Sequence, residues 1–190
     1  MTHNKNLQKI GLNTAKVSNL IVKAFNQSSP DHISAGKEWF TKGQNHCSII
    51  SDIAGISNEH SAAVISALSP RTTWKRNVMG AYHLVVTGNA PHCMSANVKR
   101  AKIALNSPDP ISTLKGNKTN RFAKNLAGDY NWATIDVWML RALGMDDKML
   151  DRAGVYEAIE YCFKLASKRL GVEPAIIQAT IWCSIRGKAV

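Results

Sequence analysis

The sequence predicts an all-α protein of nine or ten short helices. Apolar residues recur at three- and four-residue spacing through most of the chain. Capping residues open these runs, and glycine or proline closes them. No two runs alternate strictly between apolar and polar residues around a hairpin turn, as paired strands would.

Residues 1–13 are polar and are expected to be frayed. Asn13 or Thr14 caps a first helix, in which Val17, Leu20, Ile21, Val22 and Phe25 form an apolar stripe. The turn SSPDH at 28–32 ends it. A short second helix follows Ser34 and carries Trp39 and Phe40. A third, near 45–55, turns Cys47, Ile49, Ile50 and Ile53 inward and stops at Gly55. Ser57 caps a fourth, NEHSAAVISAL, which ends by Pro70. Thr72 or Thr73 caps a fifth that stops at Gly88, and VKRAKIAL after Ser95 makes a sixth with a basic outer face. NSPDP at 106–110 reads as a linker between an N-terminal and a C-terminal region. Two helices occupy 116–144. Two more close the chain: YEAIEYCFKLASKRL, stopped by Gly171, and a last one opened by Pro174. The expected architecture is a single compact domain over 1–190, with a groove between two small lobes.

The chain has 190 residues, of which 45% are hydrophobic, enough for a sizeable core. Lys and Arg total 24 against 13 Asp and Glu, a net charge of +11. Such a balance points to a polyanionic partner, nucleic acid before an anionic membrane. A basic protein with no such partner is the plainer alternative. No apolar run approaches the roughly 18 residues of a membrane span. The N-terminus lacks the apolar core and cleavage site of a signal peptide. An intracellular, cytoplasmic protein without a membrane partner is expected. Cys47, Cys93, Cys162 and Cys183 are too scattered for a zinc or iron–sulfur site and read as apolar fillers.

Chemistry concentrates in residues 116–144. Gly116-Asn117-Lys118-Thr119 is a glycine turn entering a helix, where backbone N–H groups suit a phosphate, with Lys115 adding charge. An ordinary helix connection with solvated lysines has the same look. Asp136 lies 18 positions beyond Lys118, at the start of the next helix. With Thr134 as N-cap it falls in the first helical turn, where the macrodipole favours a carboxylate. There it serves as a general base or stabilises positive charge during glycosidic cleavage, or it simply stabilises the helix.

These residues resemble the core of the helix-hairpin-helix DNA glycosylase superfamily. That family has a hairpin L-P-G-V-G-x-K-T-A, a helix, then V-D-T-H-V-x-R. Gly116-Asn117-Lys118-Thr119 falls on G-x-K-T, Asp136 on the motif aspartate, Arg141 on the motif arginine, and Leu143-Gly144 on the R-L-G ending. Upstream, ISALSPRTTW at 65–74 resembles the family's L-L-S-x-Q-T segment, with Arg71 where Gln is usual. The sequence also departs from the pattern. Leu114 replaces the first hairpin glycine, Ser112-Thr113 the L-P pair, and Trp138 the histidine, and the iron–sulfur cysteines of one branch are absent.

The resemblance implies an all-α glycosylase that flips a base out of double-stranded DNA and cleaves its N-glycosidic bond. Asp136 would stabilise the oxocarbenium-like sugar. Lys118 would be either a Schiff-base nucleophile or a phosphate ligand, with water attacking in the second case. Lys115, Gly116, Asn117, Thr119 and Arg141 would hold the backbone, with Lys75 and Arg76 beside them. Arg71 and Trp74 would fill the space the base leaves. Trp39, Phe40, Gln44, Asn45, His46, Trp138, Gln178 and Trp182 are candidates for the base pocket, although aromatics are more often core. No cofactor is implied beyond a monovalent cation at the hairpin, and the protein would act as a monomer. The divergent motifs resemble outlying branches associated with phages and phage defence, which suggests a hypermodified pyrimidine, hydroxymethylated or glucosylated, as the excised base. Remodelling such a base without releasing it, or binding DNA without catalysis, are the alternatives.

Overall fold

The computed structural model describes residues 2–187. Among them there are ten α-helices and no strands: α1 (Thr2–Gln8), α2 (Thr14–Asn26), α3 (Pro30–Ala54), α4 (Asn58–Leu68), α5 (Trp74–Thr87), α6 (Ser95–Leu105), α7 (Asn117–Leu126), α8 (Val137–Ala142), α9 (Val155–Leu170) and α10 (Pro174–Arg186). Two 3-10 turns, Ile111–Thr113 and Asp147–Asp151, lie in the connections. No helix among the described residues is long and apolar enough to cross a membrane. The all-α expectation holds. The chain divides into two units, but not at the 106–110 linker. One comprises residues 2–39 together with 130–187, and the other residues 40–129. The division falls inside α3.

The first unit joins the two ends of the chain. Its core packs Val17, Ile21 and Phe25 of α2 against Val155, Ile159 and Phe163 of α9 and Ile177 and Ile181 of α10. The expected frayed N-terminus, of which Met1 lies outside the described residues, is instead folded. Leu7 of α1 is fully buried, Asn6 Nδ2 donates to the Gly154 carbonyl at 3.2 Å, and Asn4 Oδ1 accepts the Thr14 N–H at 3.0 Å. One apolar residue and two side-chain bonds anchor a segment whose composition alone reads as loose.

The second unit is arranged about α4. Every residue from Ser61 to Leu68 is buried, and α5, α6 and α7 pack around them. Small residues at 61–63 and 66–67 let those neighbours approach closely.

One helix replaces the two expected between Ser34 and Gly55. Ser29 Oγ accepts the His32 N–H at 3.2 Å, Pro30 fills the first turn, and α3 then runs 25 residues through Gly36 and Gly43. Those glycines serve close packing and do not break the helix. A Cβ at Gly36 would stand 2.6 Å from the Thr180 backbone nitrogen, and one at Gly43 would stand 2.6 Å from Leu126 Cδ2. Ile49 and Ile53, expected inward, are about half exposed, whereas Cys47 and Ile50 are buried.

Candidate functional site

Asp136 sits where the chain leaves the core of the first unit. Ala133 and Ile135 are fully buried, and the Tyr156 hydroxyl pins the segment between them. It donates to the Ala133 carbonyl and accepts the Ile135 N–H, both at 3.1 Å. Asp136 then caps α8 itself: its Oδ1 accepts the Met139 N–H at 3.1 Å. This corrects the expected cap, Thr134, which is buried two residues earlier. Met139 and Leu140 anchor α8 in the core, so the half-buried carboxylate is fixed from both sides.

Two residues on, Trp138 is half-buried beneath two guanidiniums. Arg141 lies 4.7 Å and Arg186 4.4 Å from its ring centroid. Arg186 also lies 5.8 Å from Trp182, which meets Trp39 edge-on at 6.4 Å. Arg141 is further engaged by Asp147, whose carboxylate accepts from Nε at 3.1 Å and from Nη2. The hydrogen bond to Asp147 raises the already high Arg141 pKa. Arg141 is thus committed within its own unit, which weakens the expectation that it grips DNA. Trp138 could stack a base only by displacing a guanidinium.

In the second unit the turn after α4 carries Arg71, exposed, in a left-handed backbone conformation with φ 59°. A residue with a Cβ is strained there, and such strain persists only where the surroundings impose it. Buried Asn97 of α6 imposes it. Its Nδ2 donates to the Pro70 carbonyl at 3.0 Å, while its Oδ1 accepts from Arg100 Nη1 at 3.1 Å. Thr73 caps α5 by accepting the Arg76 N–H, leaving Lys75 and Arg76 exposed in the first turn. Trp74, the second expected insertion residue, is half-buried in the first turn of α5. It packs edge-on against His46 at 6.0 Å and Phe122 at 6.4 Å.

α7 begins at Gly116-Asn117, as the sequence suggests, with no left-handed residue in the connection before it. Gly116 caps α7 with φ −80°, a conformation open to any residue. Leu114, standing where the family has glycine, is buried as an apolar anchor. Asn120 Nδ2 donates to the Ile111 carbonyl at 3.0 Å, and Lys115 Nζ turns back to the Ser112 carbonyl at 3.3 Å. Ser66 Oγ donates to the Thr119 carbonyl at 2.6 Å. The last turn of α4 therefore holds the start of α7 and leads, five residues after Ser66, into Arg71. No side chain caps the α7 start, and Lys118 there is exposed.

The expected residues thus fall into two sets. The first unit holds Asp136, Trp138, Arg141, Trp182 and Trp39, and the second holds the Arg71 turn and the 115–119 segment. Of the pocket candidates, Asn45 is exposed on α3 and Gln44 and His46 are half-buried. Phe40 and Gln178 are buried at 1% and 6% exposure. Sequence reading missed Tyr156, Asn97, Asp147 and Arg186. Only Arg186 carried a local signal, its spacing of four from Trp182 on one helix face.

No curated protein and no solved structure matches the chain. A family of unknown function, DUF7178, matches it over residues 3–189, nearly its whole length. The chain belongs to that family, DUF7178, for which no function is assigned.

Proposed function

We propose that this protein is a DNA glycosylase that flips out and excises a modified base, with a hypermodified pyrimidine as the leading substrate class. The observation that carries the reading is Asp136. Its carboxylate is half-buried, oriented by the Met139 N–H, and set on a segment that Tyr156 pins to the core. A carboxylate fixed in this way stabilises positive charge on the sugar as the base leaves, without reorganising during the reaction. The net charge of +11 and the exposed Arg71, Lys75, Arg76, Lys115 and Lys118 supply a phosphate-binding surface.

In this reaction the N-glycosidic bond breaks, its electron pair leaves with the base, and a nucleophile takes the sugar carbon. Water yields an abasic site. Lys118, if it attacks, yields a Schiff base and then strand cleavage. No cofactor enters, and a monovalent cation at the 111–116 connection would assist phosphate binding as in the resembled superfamily.

The test incubates the protein with duplexes bearing different modified bases and then heats them in alkali. Alkali-dependent breaks indicate a water nucleophile. Breaks without alkali, with a borohydride-trapped adduct lost in Lys118→Ala, indicate the lysine route. Absence of base release from every duplex overturns the excision reading, and a base altered but retained identifies remodelling instead.

A further inference from the structure

We propose that Arg186, stacked on Trp138, is a phosphate clamp for the DNA strand whose sugar faces Asp136. The inference rests on the nucleic-acid reading above and adds to it a site on the last helix, outside every expected binding residue. Two guanidiniums lie against Trp138, but they are not equivalent. Arg141 delivers its donors to the Asp147 carboxylate. Arg186, exposed at the end of α10, has no carboxylate partner among the described residues. Its contacts are the faces of Trp138 at 4.4 Å and Trp182 at 5.8 Å.

That arrangement suits an anion. A guanidinium lying on an aromatic face keeps its N–H donors directed outward around its edge. The stack also restrains a long side chain that would otherwise lose much of its rotamer freedom on binding. A phosphodiester takes two parallel N–H bonds from such a fork. Arg141, over the same ring, is close enough to Asp136 to feel its charge, which sets the Trp138 stack on the Asp136 side of the unit. A phosphate held there fixes one strand beside Asp136. Trp182 and Trp39 extend the aromatic surface along the same unit, where an unpaired nucleotide can stack.

The plainer role for Arg186 is to cover Trp138 from water through its stem. Salt dependence separates the two, because each phosphate neutralised contributes about −0.9 to the slope of log K against log salt. The experiment measures binding of the full chain to a fluorescein-labelled duplex by anisotropy across a salt series, for the unaltered protein, Arg186→Gln and Arg186→Lys, with a thermal melt of each. The clamp predicts that Arg186→Gln reduces the slope by about one. Arg186→Lys should keep the slope but weaken binding, since the ammonium retains the charge and loses the stacked fork. Melting temperatures should be unchanged, because the residue is exposed. An unaltered slope in Arg186→Gln overturns the clamp. If the unaltered protein binds no DNA at low salt, the functional reading and the clamp fall together. If it binds but releases no base, and the slope still falls in Arg186→Gln, the clamp stands and only the excision chemistry fails.

Discussion

The Tyr156 hydroxyl accepts the N–H of Ile135 at 3.1 Å, one residue before Asp136. With its second bond, to the Ala133 carbonyl, it holds three consecutive residues of an irregular segment against the core. Tyr156→Phe keeps the ring and strands both buried backbone groups. It should cost about 1–3 kcal/mol, read as a lower urea midpoint. If Asp136 acts in catalysis, turnover should fall further than stability explains at a temperature where the variant remains folded.

Asp136 has two separable roles. Asn at this position still accepts the Met139 N–H, so Asp136→Asn should melt within a few tenths of a kcal/mol of the unaltered protein. Asp136→Ala loses the cap and should cost about 0.5–2 kcal/mol. Both should abolish base release while leaving duplex binding largely intact. A fully active Asp136→Asn would reduce Asp136 to a helix cap.

Arg71 offers a test of stored strain. Its φ of 59° is open to glycine and costly for residues with a Cβ. Arg71→Gly should therefore be more stable than Arg71→Ala, by about 1 kcal/mol. Both should lose activity on duplex DNA if the side chain occupies the space of the flipped base. Equal stability of the two variants would mean that the turn relaxes freely and Asn97 does not hold it.

Gly36 faces Thr180 so closely that an added Cβ would stand 2.6 Å from its backbone nitrogen and 2.8 Å from its Cα. Backbone cannot yield as a side-chain tip does. Gly36→Ala should destabilise by about 1–3 kcal/mol, lowering the melting temperature by several degrees despite alanine's better helix propensity. A melt unchanged from the parent would contradict this packing.

The buried thiols make stability depend on alkaline pH. Burial pushes Cys47 and Cys162 from an ordinary 9.0 up to about 12. Below pH 9 both states keep the thiols protonated and their contribution is complete. As pH rises toward 12 the unfolded chain ionises first, so stability falls by up to about 1.4 kcal/mol per pH unit for each thiol. Urea melts at pH 7.5 and pH 10 should show that loss, and the loss should shrink in Cys47→Ala with Cys162→Ala. Native protein should also leave both cysteines unlabelled by a thiol reagent at neutral pH.

Much of the fold was legible because helix signals are local. Ser57, Thr73, Gly88 and Gly171 mark helix ends by chemistry complete within a few residues. The single helix over 30–54 was not legible, because only the packing of Gly36 on Thr180 and Gly43 on Leu126 shows what its glycines are for. Ile49 and Ile53 misled because an apolar stripe does not say which of its residues a partner helix will cover. In the site, Asp136 stood out by its apolar flanks. Tyr156 and Asn97 act on backbone 21 and 27 residues away, a distance no periodicity encodes. The connection before Gly116 has no left-handed residue, and Leu114 in it is buried as packing.

The interleaving of the two units has a consequence for biosynthesis. Residues 40–129 are contiguous, whereas α1 and α2 are made before them and pack on α9, which is made after them. The apolar side of α2 packs on α9, whose first residue is Val155, so it stays uncovered until most of the chain has been made. α9 thus completes the core that α2 begins, and the segment bearing Asp136 gains its pin, Tyr156, only with it. A nascent chain stalled before residue 156 would carry the basic second unit without that pin on the Asp136 segment.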